Sequence, residues 1–338
     1  MTICIAGEVP PPIGGISIHV QRLIHSLKRE DVDVEFARLR YREAGLKGIL
    51  LYIKSIKKIL SRSTGNLIHY QMNNWIEGTL IYMLLCIVRK SMIYTVHSFR
   101  YEEFSLAKRI CMQLCTRTKI RFIAPGPEVK NDMCNKGFIE RNIYIHDTYL
   151  DPTSDERNSS IPSVIDRFVK SNKEQKVVLG NAYKLVLTKD GIDLYGLDMC
   201  IELIERNEDL CLLFYLGQIG DIDYYNQCLR HINEAGLSHR ILIYTGGTSL
   251  IPAFRIADVF VRPTLTDSFG ISVAEAISCK IPAVASNVCN RAEGAILFES
   301  RDSESFSSAV RMAMNNEAIE VSNRNCNWYV DLYKELSD

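Results

Sequence analysis

The chain has 338 residues, of which 47% are hydrophobic and 24% charged, with 40 basic and 40 acidic side chains. That length suits two domains of about 150 residues, each able to bury a core. Eleven cysteines without a CxxC pair, and no apolar run near the roughly 18 residues of a membrane span, exclude a disulfide scaffold and an integral membrane protein.

In the first half, strands are predicted at "TICIAG", "VDVEFAR", "LIHYQ", "SMIYTVHS", "KIRFIAPG" and "NIYIHD". Helices fall between them, for example "ISIHVQRLIHSLKR", whose apolar residues recur at three and four. The apolar run 79–88, "TLIYMLLCIV", reads as a buried helix. At 151–163, "DPTSDERNSSIPS" interrupts the alternation as a polar linker.

The pattern then restarts with strand "KVVLGNA", helix "YGLDMCIELIER", strand "LCLLFYLG", helix "DYYNQCLRHINEAG" and strand "RILIYTGG". "DVFVRPT", helix "ISVAEAISCK" and strand "PAVAS" follow, and "NCNWYVDLYKEL" is a last amphipathic helix. Continuous apolar strands alternating with helices mean parallel sheets covered on both faces. The expected fold is therefore α/β: two Rossmann-like, doubly wound domains at 1–160 and 161–315 facing a cleft. A C-terminal helix at 316–338 is expected to pack back toward the first domain.

Charge is unevenly placed. Residues 1–150 hold 22 Lys and Arg against 13 Asp and Glu, a net of +9, and the remainder carries −9. The first half is thus expected to face something anionic. At 46–62, Lys47, Lys54, Lys57, Lys58 and Arg62 are interspersed with Leu and Ile at helical spacing, as in an interfacial helix. A core-facing helix with a solvated basic face is the other reading. Nucleic acid is not expected, since no aromatic platform motif accompanies the basic residues.

The stretch "RPTLTDSFGISVAEA", 262–276, holds the densest chemistry. It is a strand-to-helix loop at a carboxyl edge, where the amides of Ser268, Phe269 and Gly270 can point at an anion. Asp267 and Glu275 could each hold hydroxyls of one ligand. Taken alone, they read more simply as a helix-start acid and a solvated side chain.

Together with "PPPIGGISIHV", "YTVHSF" and "LGNAYKLVLTKDGIDLYGLDMCIELI", this stretch resembles the retaining GT-B glycosyltransferases of family GT4. "RPT.TD" and "YGLD" are most like enzymes that assemble bacterial surface polysaccharide, such as O-antigen or capsule. The resemblance spans roughly residues 3–300 and implies transfer of a sugar from a UDP- or GDP-linked donor to a lipid-linked saccharide, with retention. It places acceptor binding in the first domain and the nucleotide in the second. It implies that Glu275 binds the ribose, that Asp267, Phe269 and Gly270 hold the sugar, and that Gly14, Gly15 and His97 approach the donor. Neither cofactor nor metal is implied, and a cytoplasmic location, peripheral on the inner membrane face, is expected.

"GDID" at 220–223 reads as a helix N-cap on Asp221 or Asp223 rather than a metal-binding DxD. "KDGIDLYGLD" lacks the spacing of a calcium loop. The resemblance also implies an Arg and a Lys for the leaving diphosphate, where this chain has Asn181 and Tyr195. Lys184 is the foremost replacement expected, with Lys189 and Arg262 as alternatives. The same gap sustains a rival reading, a catalytically degenerate scaffold of a polysaccharide assembly complex.

Overall fold

The structure, a computed structural model, describes residues 2–10, 14–40, 45–267, 269–315 and 327–337. It divides into two compact units, Met1–Leu150 with Arg324–Asp338, and Asp151–Asn323.

Unit 1 runs β1 (Thr2–Gly7), α1 (Gly15–Arg29), β2 (Asp33–Arg38), α2 (Gly45–Leu60), β3 (Leu67–Tyr70), α3 (Trp75–Ile87) and β4 (Ser91–Thr95). It continues with α4 (Leu106–Cys115), β5 (Arg121–Ala124), α5 (Pro127–Asn135) and β6 (Ile143–Ile145). The strands form one parallel sheet in the order β2-β1-β3-β4-β5-β6, so the winding reverses between β1 and β3. Alternation along β1 sends Ile3 and Ile5 to one face with Val20 and Leu23 of α1, and Cys4 and Ala6 to the other. On that other face lie Ile59 of α2, Leu85 of α3 and Met112 of α4.

The helix at 79–88 forms but is buried on one side only. Trp75, Ile81 and Leu85 point into the core, while Leu80, Met83, Leu84 and Ile87 are exposed. Apolarity favours burial but does not guarantee a second covering layer, and among the described residues none lies outside α3.

Unit 2 begins with α6 (Ser154–Asn158) and α7 (Ser163–Ser171), then β7 (Lys176–Leu185), α8 (Leu197–Arg206), β8 (Leu210–Gly220), α9 (Ile222–Glu234) and β9 (Ile241–Tyr244). A 3-10 turn at Ile251–Ile256 leads to β10 (Val259–Arg262), α10 (Ile271–Ser278), β11 (Ala283–Ser286), β12 (Ile296–Phe298) and α11 (Ser303–Asn315). Its parallel sheet has the order β12-β11-β10-β7-β8-β9, and the winding reverses between β7 and β10. β8 is buried on both faces, with Leu212 and Phe214 in one core and Cys211 and Leu213 in the other.

The boundary falls at Leu150/Asp151, ten residues before the break expected at 160. The polar linker carries structure of its own. Thr153 and Glu156 cap α6 reciprocally, at 3.2 and 2.8 Å, and Arg255 Nη2 donates to the Ser159 carbonyl at 2.7 Å. The segment is therefore tied into unit 2.

The chain closes with α12 (Asn327–Ser337), which belongs to unit 1. Tyr333 OH lies 2.5 Å from His69 Nδ1, and the Trp328 ring stacks on His146 with centroids 4.1 Å apart. Residues 316–326 of the helix expected at 316–338 lie outside the described residues.

Candidate active site

β10 ends at Arg262, on the carboxyl edge beside β7, where the second sheet reverses its winding. Ligands of open α/β sheets bind at such a place. The loop that follows turns into α10 through Gly270, at φ 79°. Glycine is needed twice over: a side chain would be strained at that φ, and its Cβ would collide with Arg291 Nη1.

Two guanidinium groups converge on Asp267. Arg262 Nε donates to Asp267 Oδ2 at 3.1 Å and Arg291 Nη1 donates to the same oxygen at 2.9 Å. Burial alone would raise the Asp267 pKa, but Arg262 and Arg291 outweigh it and hold the carboxyl below its ordinary value. Arg291 is fixed from behind: its Nε and Nη2 donate to Ser286 O and Oγ at 3.1 and 3.2 Å. Its side chain is only 2% exposed. Ser286 Oγ in turn donates to the Thr264 carbonyl at 2.6 Å.

Arg262 reaches further. Its Nη1 donates to Asn181 O and Oδ1 at 3.1 and 3.2 Å, and its Cζ sits 5.1 Å from the centre of the Tyr195 ring. The guanidinium thus bonds to Asn181 and packs over Tyr195, the two positions where the resemblance implies Arg and Lys. Charge absent from both positions is present between them.

Glu275, in the second turn of α10, is buried, unlike the solvated side chain that the loop alone suggests. Phe269 is half-buried beside Gly270. Ser268 lies outside the described residues.

Lys184 is not brought into this cluster. It is exposed near the end of β7, with its Cα opposite Gln218 of β8. Three residues along a strand move a side chain to the opposite face and about 10 Å onward, so Lys184 and Asn181 point apart. Lys189 is exposed in a turn closed by Thr188 N–H donating to the Ile192 carbonyl at 2.8 Å. Of the three candidate cations, only Arg262 stands with Asp267.

Two acidic motifs have structural roles. Asp221 caps α9, accepting from Tyr224 N–H at 3.0 Å. Asp193 of "KDGID" accepts from Tyr195 and Leu197 N–H at 2.9 and 2.7 Å and from Tyr224 OH at 2.9 Å. Its buried carboxylate fixes the start of α8 and so the loop that carries Tyr195. Gly196, at φ 73°, lets that loop meet Pro263, since any Cβ there would strike the Pro263 carbonyl.

In unit 1, Gly14 precedes α1 in an extended conformation, and its N–H donates to Ser17 Oγ at 3.0 Å. The amide offered at that end is therefore Gly15's, the first of the helix, rather than Gly14's. His97 follows β4 and faces Gln71 Oε1 at 3.0 Å from its Nε2. Burial lowers its pKa to about 4, so the ring is neutral near pH 7. His19 lies 5.5 Å away, ring to ring, and burial likewise lowers its pKa well below the ordinary value.

With this geometry in view, comparison with known proteins is informative. Residues 177–316 match the family model for glycosyl transferases group 1. The matched stretch lies within the second unit.

An Escherichia coli protein, UDP-Gal:alpha-D-GlcNAc-diphosphoundecaprenol alpha-1,3-galactosyltransferase, is 22% identical over 298 residues, covering 80% of this chain and 72% of the relative. Among solved structures, Anabaena HepE in complex with UDP and glucose superposes with a TM-score of 0.67 at 15% identity, covering 94% of this chain and 90% of that one. Sucrose-phosphate synthase from Thermosynechococcus elongatus gives 0.65 at 14% identity, with 99% of both chains covered. These likenesses establish the GT-B fold, two doubly wound α/β domains, for the whole chain.

Arg291 and Tyr195 are the participants that sequence reasoning missed. Arg291 lies 24 residues from Asp267, in the connection between β11 and β12, and no local motif marks it. Tyr195 was legible only as a missing Lys.

Proposed function

We propose that the protein transfers a sugar from a nucleotide-diphosphate sugar to a hydroxyl of a lipid-linked saccharide, with retention, in assembly of a bacterial surface polysaccharide. The observation that carries this reading is Arg262, held between Asn181, Asp267 and the Tyr195 ring at the switch point of the sheet, within the stretch that matches group 1 glycosyl transferases. A planar guanidinium suits the oxygens of a diphosphate. UDP is the favoured nucleotide, over the GDP also considered, because HepE was solved with UDP and the Escherichia coli relative is named for UDP-Gal. That relative's name also supplies the lipid diphosphate as acceptor class.

In this scheme Glu275 accepts hydrogen bonds from the ribose, and the amides at Phe269 and Gly270 meet the donor at the start of α10. The bond between the anomeric carbon and the diphosphate oxygen breaks while the acceptor oxygen approaches the same face of the sugar. The acceptor proton passes to the departing phosphate oxygen. Negative charge grows on the diphosphate, and the Arg262 guanidinium meets it in a partly buried site, where such stabilisation is strong. Asp267 acts as a positioning residue, orienting Arg262 and Arg291. No carboxylate nucleophile and no metal take part, and the work is done at the cytoplasmic face of a membrane.

The scaffold reading rests on Asn181 and Tyr195, and the guanidinium between them weakens it. Incubation with a panel of UDP- and GDP-sugars, with proton NMR of the product anomer in the presence and absence of EDTA, tests the proposal. A retained anomer formed in EDTA is the expected result. An inverted product, or activity abolished by EDTA, contradicts it. No turnover with any donor restores the scaffold.

A further inference from the structure

The carboxyl edge of the first sheet carries an ion pair that the donor site does not use. The winding reverses there between β1 and β3, so this edge too is a place where open α/β sheets take ligands. Glu77, in the first turn of α3, is buried, its side chain 9% exposed. A carboxylate is costly in such a place unless donors surround it. Tyr70 OH donates to Glu77 Oε2 at 2.7 Å, and Tyr52 OH, from α2, donates to Oε1 at 3.0 Å. Burial and the neighbouring carboxylate raise the Tyr52 pKa to about 12, so the phenol remains a donor near neutral pH. The third partner is Arg40, two residues beyond β2, whose Nη1 meets Oε1 at 3.4 Å.

Arg40 is the open end of this arrangement. Its side chain is 45% exposed, and of the five donors of a guanidinium only that at Nη1 is engaged among the described residues. A guanidinium acting only as counter-ion can close on both carboxylate oxygens, as Arg301 does on Asp198 at 2.9 and 2.5 Å. Here two tyrosines satisfy the carboxylate, and Arg40 is anchored at one corner with the rest of its fork uncommitted. Such a fork suits an anion with several oxygens. The donor's diphosphate already has a cation in unit 2, Arg262, which leaves Arg40 for a second anionic group. Next to Glu77, the β3–α3 turn holds further polar side chains: Asn73 Nδ2 donates to Ser98 O and Oγ at 3.0 and 2.8 Å, and Asn74 caps α3.

We infer that Arg40 binds the phosphate of the lipid-linked acceptor, with Glu77 aiming the guanidinium and Tyr52 and Tyr70 holding Glu77 in place. The inference rests on the acceptor class proposed above and names the residue that separates phosphate-linked from neutral saccharides. No bond forms or breaks at Arg40, and its part is to hold the acceptor.

Calorimetric titration of the intact chain, with and without UDP, tests it with two synthetic acceptors. One is a short alkyl diphosphate carrying a single hexose, and the other is the alkyl hexoside without phosphate. UDP binding is followed in parallel by thermal shift. The diphosphate should bind at least about tenfold tighter than the hexoside, the scale of hydrogen bonds to a charged group. R40A should abolish that preference, R40K should keep part of it, and the UDP shift should not change in either. R40A/E77Q separates binding from a counter-ion role, because it removes the charge pair together and leaves no buried carboxylate unpaired. Preference still absent in the double variant supports the inference, and preference regained there overturns it. Equal binding of the two acceptors, binding of neither, or a preference unchanged in R40A would overturn it as well. So would a UDP shift that falls in R40A, since Arg40 would then belong to the donor. A preference that depends on Arg40 without any UDP shift leaves the inference standing and removes the donor reading instead.

Discussion

The two units share one plan, a six-stranded parallel sheet wound both ways, yet their outer helices are surfaced differently. In unit 2, α8 and α11 and their flanks are joined by ion pairs: Arg206 with Glu304 at 2.7 Å, Arg301 with Asp198 and Arg311 with Asp209, both at 2.5 Å. In unit 1 the helices α2, α3 and α4 themselves carry aliphatic stripes and cations but no outward carboxylate, and the exposed Glu102 and Glu103 stand just before α4. A doubly wound fold constrains which side of a helix faces the sheet and leaves the outer side free. Unit 2 joins its outer helices by ion pairs, and unit 1 leaves aliphatic side chains of its outer helices exposed.

The units also divide their titratable chemistry. Unit 2 concentrates paired charge at Arg262, Asp267 and Arg291, whereas unit 1 buries neutral histidines beneath α12. The largest effect that separates them should come from the charged cluster. Replacing Arg262 by Ala should lower turnover on the order of 100-fold, the scale of removing a donor to a developing anion. K184A and K189A should stay within about twofold of the parent. Steady-state release of nucleotide diphosphate would measure all three, and a large loss in K184A with none in R262A would return the role to Lys184.

Backbone strain comes next. G270A should destabilise unit 2 by about 1–3 kcal/mol, since Ala must adopt φ near 79° and displace Arg291. Denaturant unfolding would show it, and an unchanged midpoint would contradict the tight turn.

Acid should then distinguish the units. His69 bonds to Tyr333 and Thr95, and burial lowers its pKa from the ordinary 6.5 to about 3. Its neutral form stabilises unit 1 fully above pH 6.5, and that contribution is lost as pH falls from 6.5 toward 3. The lowered Asp267 pKa acts in the same direction, but only below its ordinary 3.8. Hydrogen exchange between pH 6.5 and 4 should therefore show α12 loosening while the β10–α10 loop stays protected, after correction for intrinsic exchange rates. Simultaneous loss in both would count against the assignment.

The smallest effects lie at the surface. R311A removes an ion pair to Asp209 that is largely exposed and should cost less than about 1 kcal/mol. L84Q in unit 1 should leave stability within about 0.5 kcal/mol. A costly Leu84 substitution would mean that α3 is covered after all.

Much of the fold is readable in the sequence because parallel strands buried on both faces are continuous apolar runs. The segments around Ile5, Ile93 and Leu213 show it, and they emerge as central strands. β12 and α11 are less distinct: Leu297 is exposed and α11 carries several serines. α3 shows the limit of composition, since Leu84 and Leu85 are alike in the sequence and only packing separates the exposed one from the buried one. At the site, Asp267, Gly270 and Glu275 share a local loop and were legible together. Arg291 reaches Asp267 only once β11 and the connection to β12 are in place, so spacing along the chain carries no trace of it. The placement of Lys184 is legible in the sequence too: its odd separation from Asn181 puts it on the other face of β7.

The central claim is that a nucleotide diphosphate binds unit 2 at the switch point between β7 and β10. Hydrogen exchange of the intact chain with and without UDP, in EDTA, tests it most directly. Protection should concentrate in the end of β7 around Asn181 and in the segment from Arg262 to Glu275, with α2 unaffected. UDP that protects neither segment, or that protects them only when a divalent metal is supplied, would contradict the account.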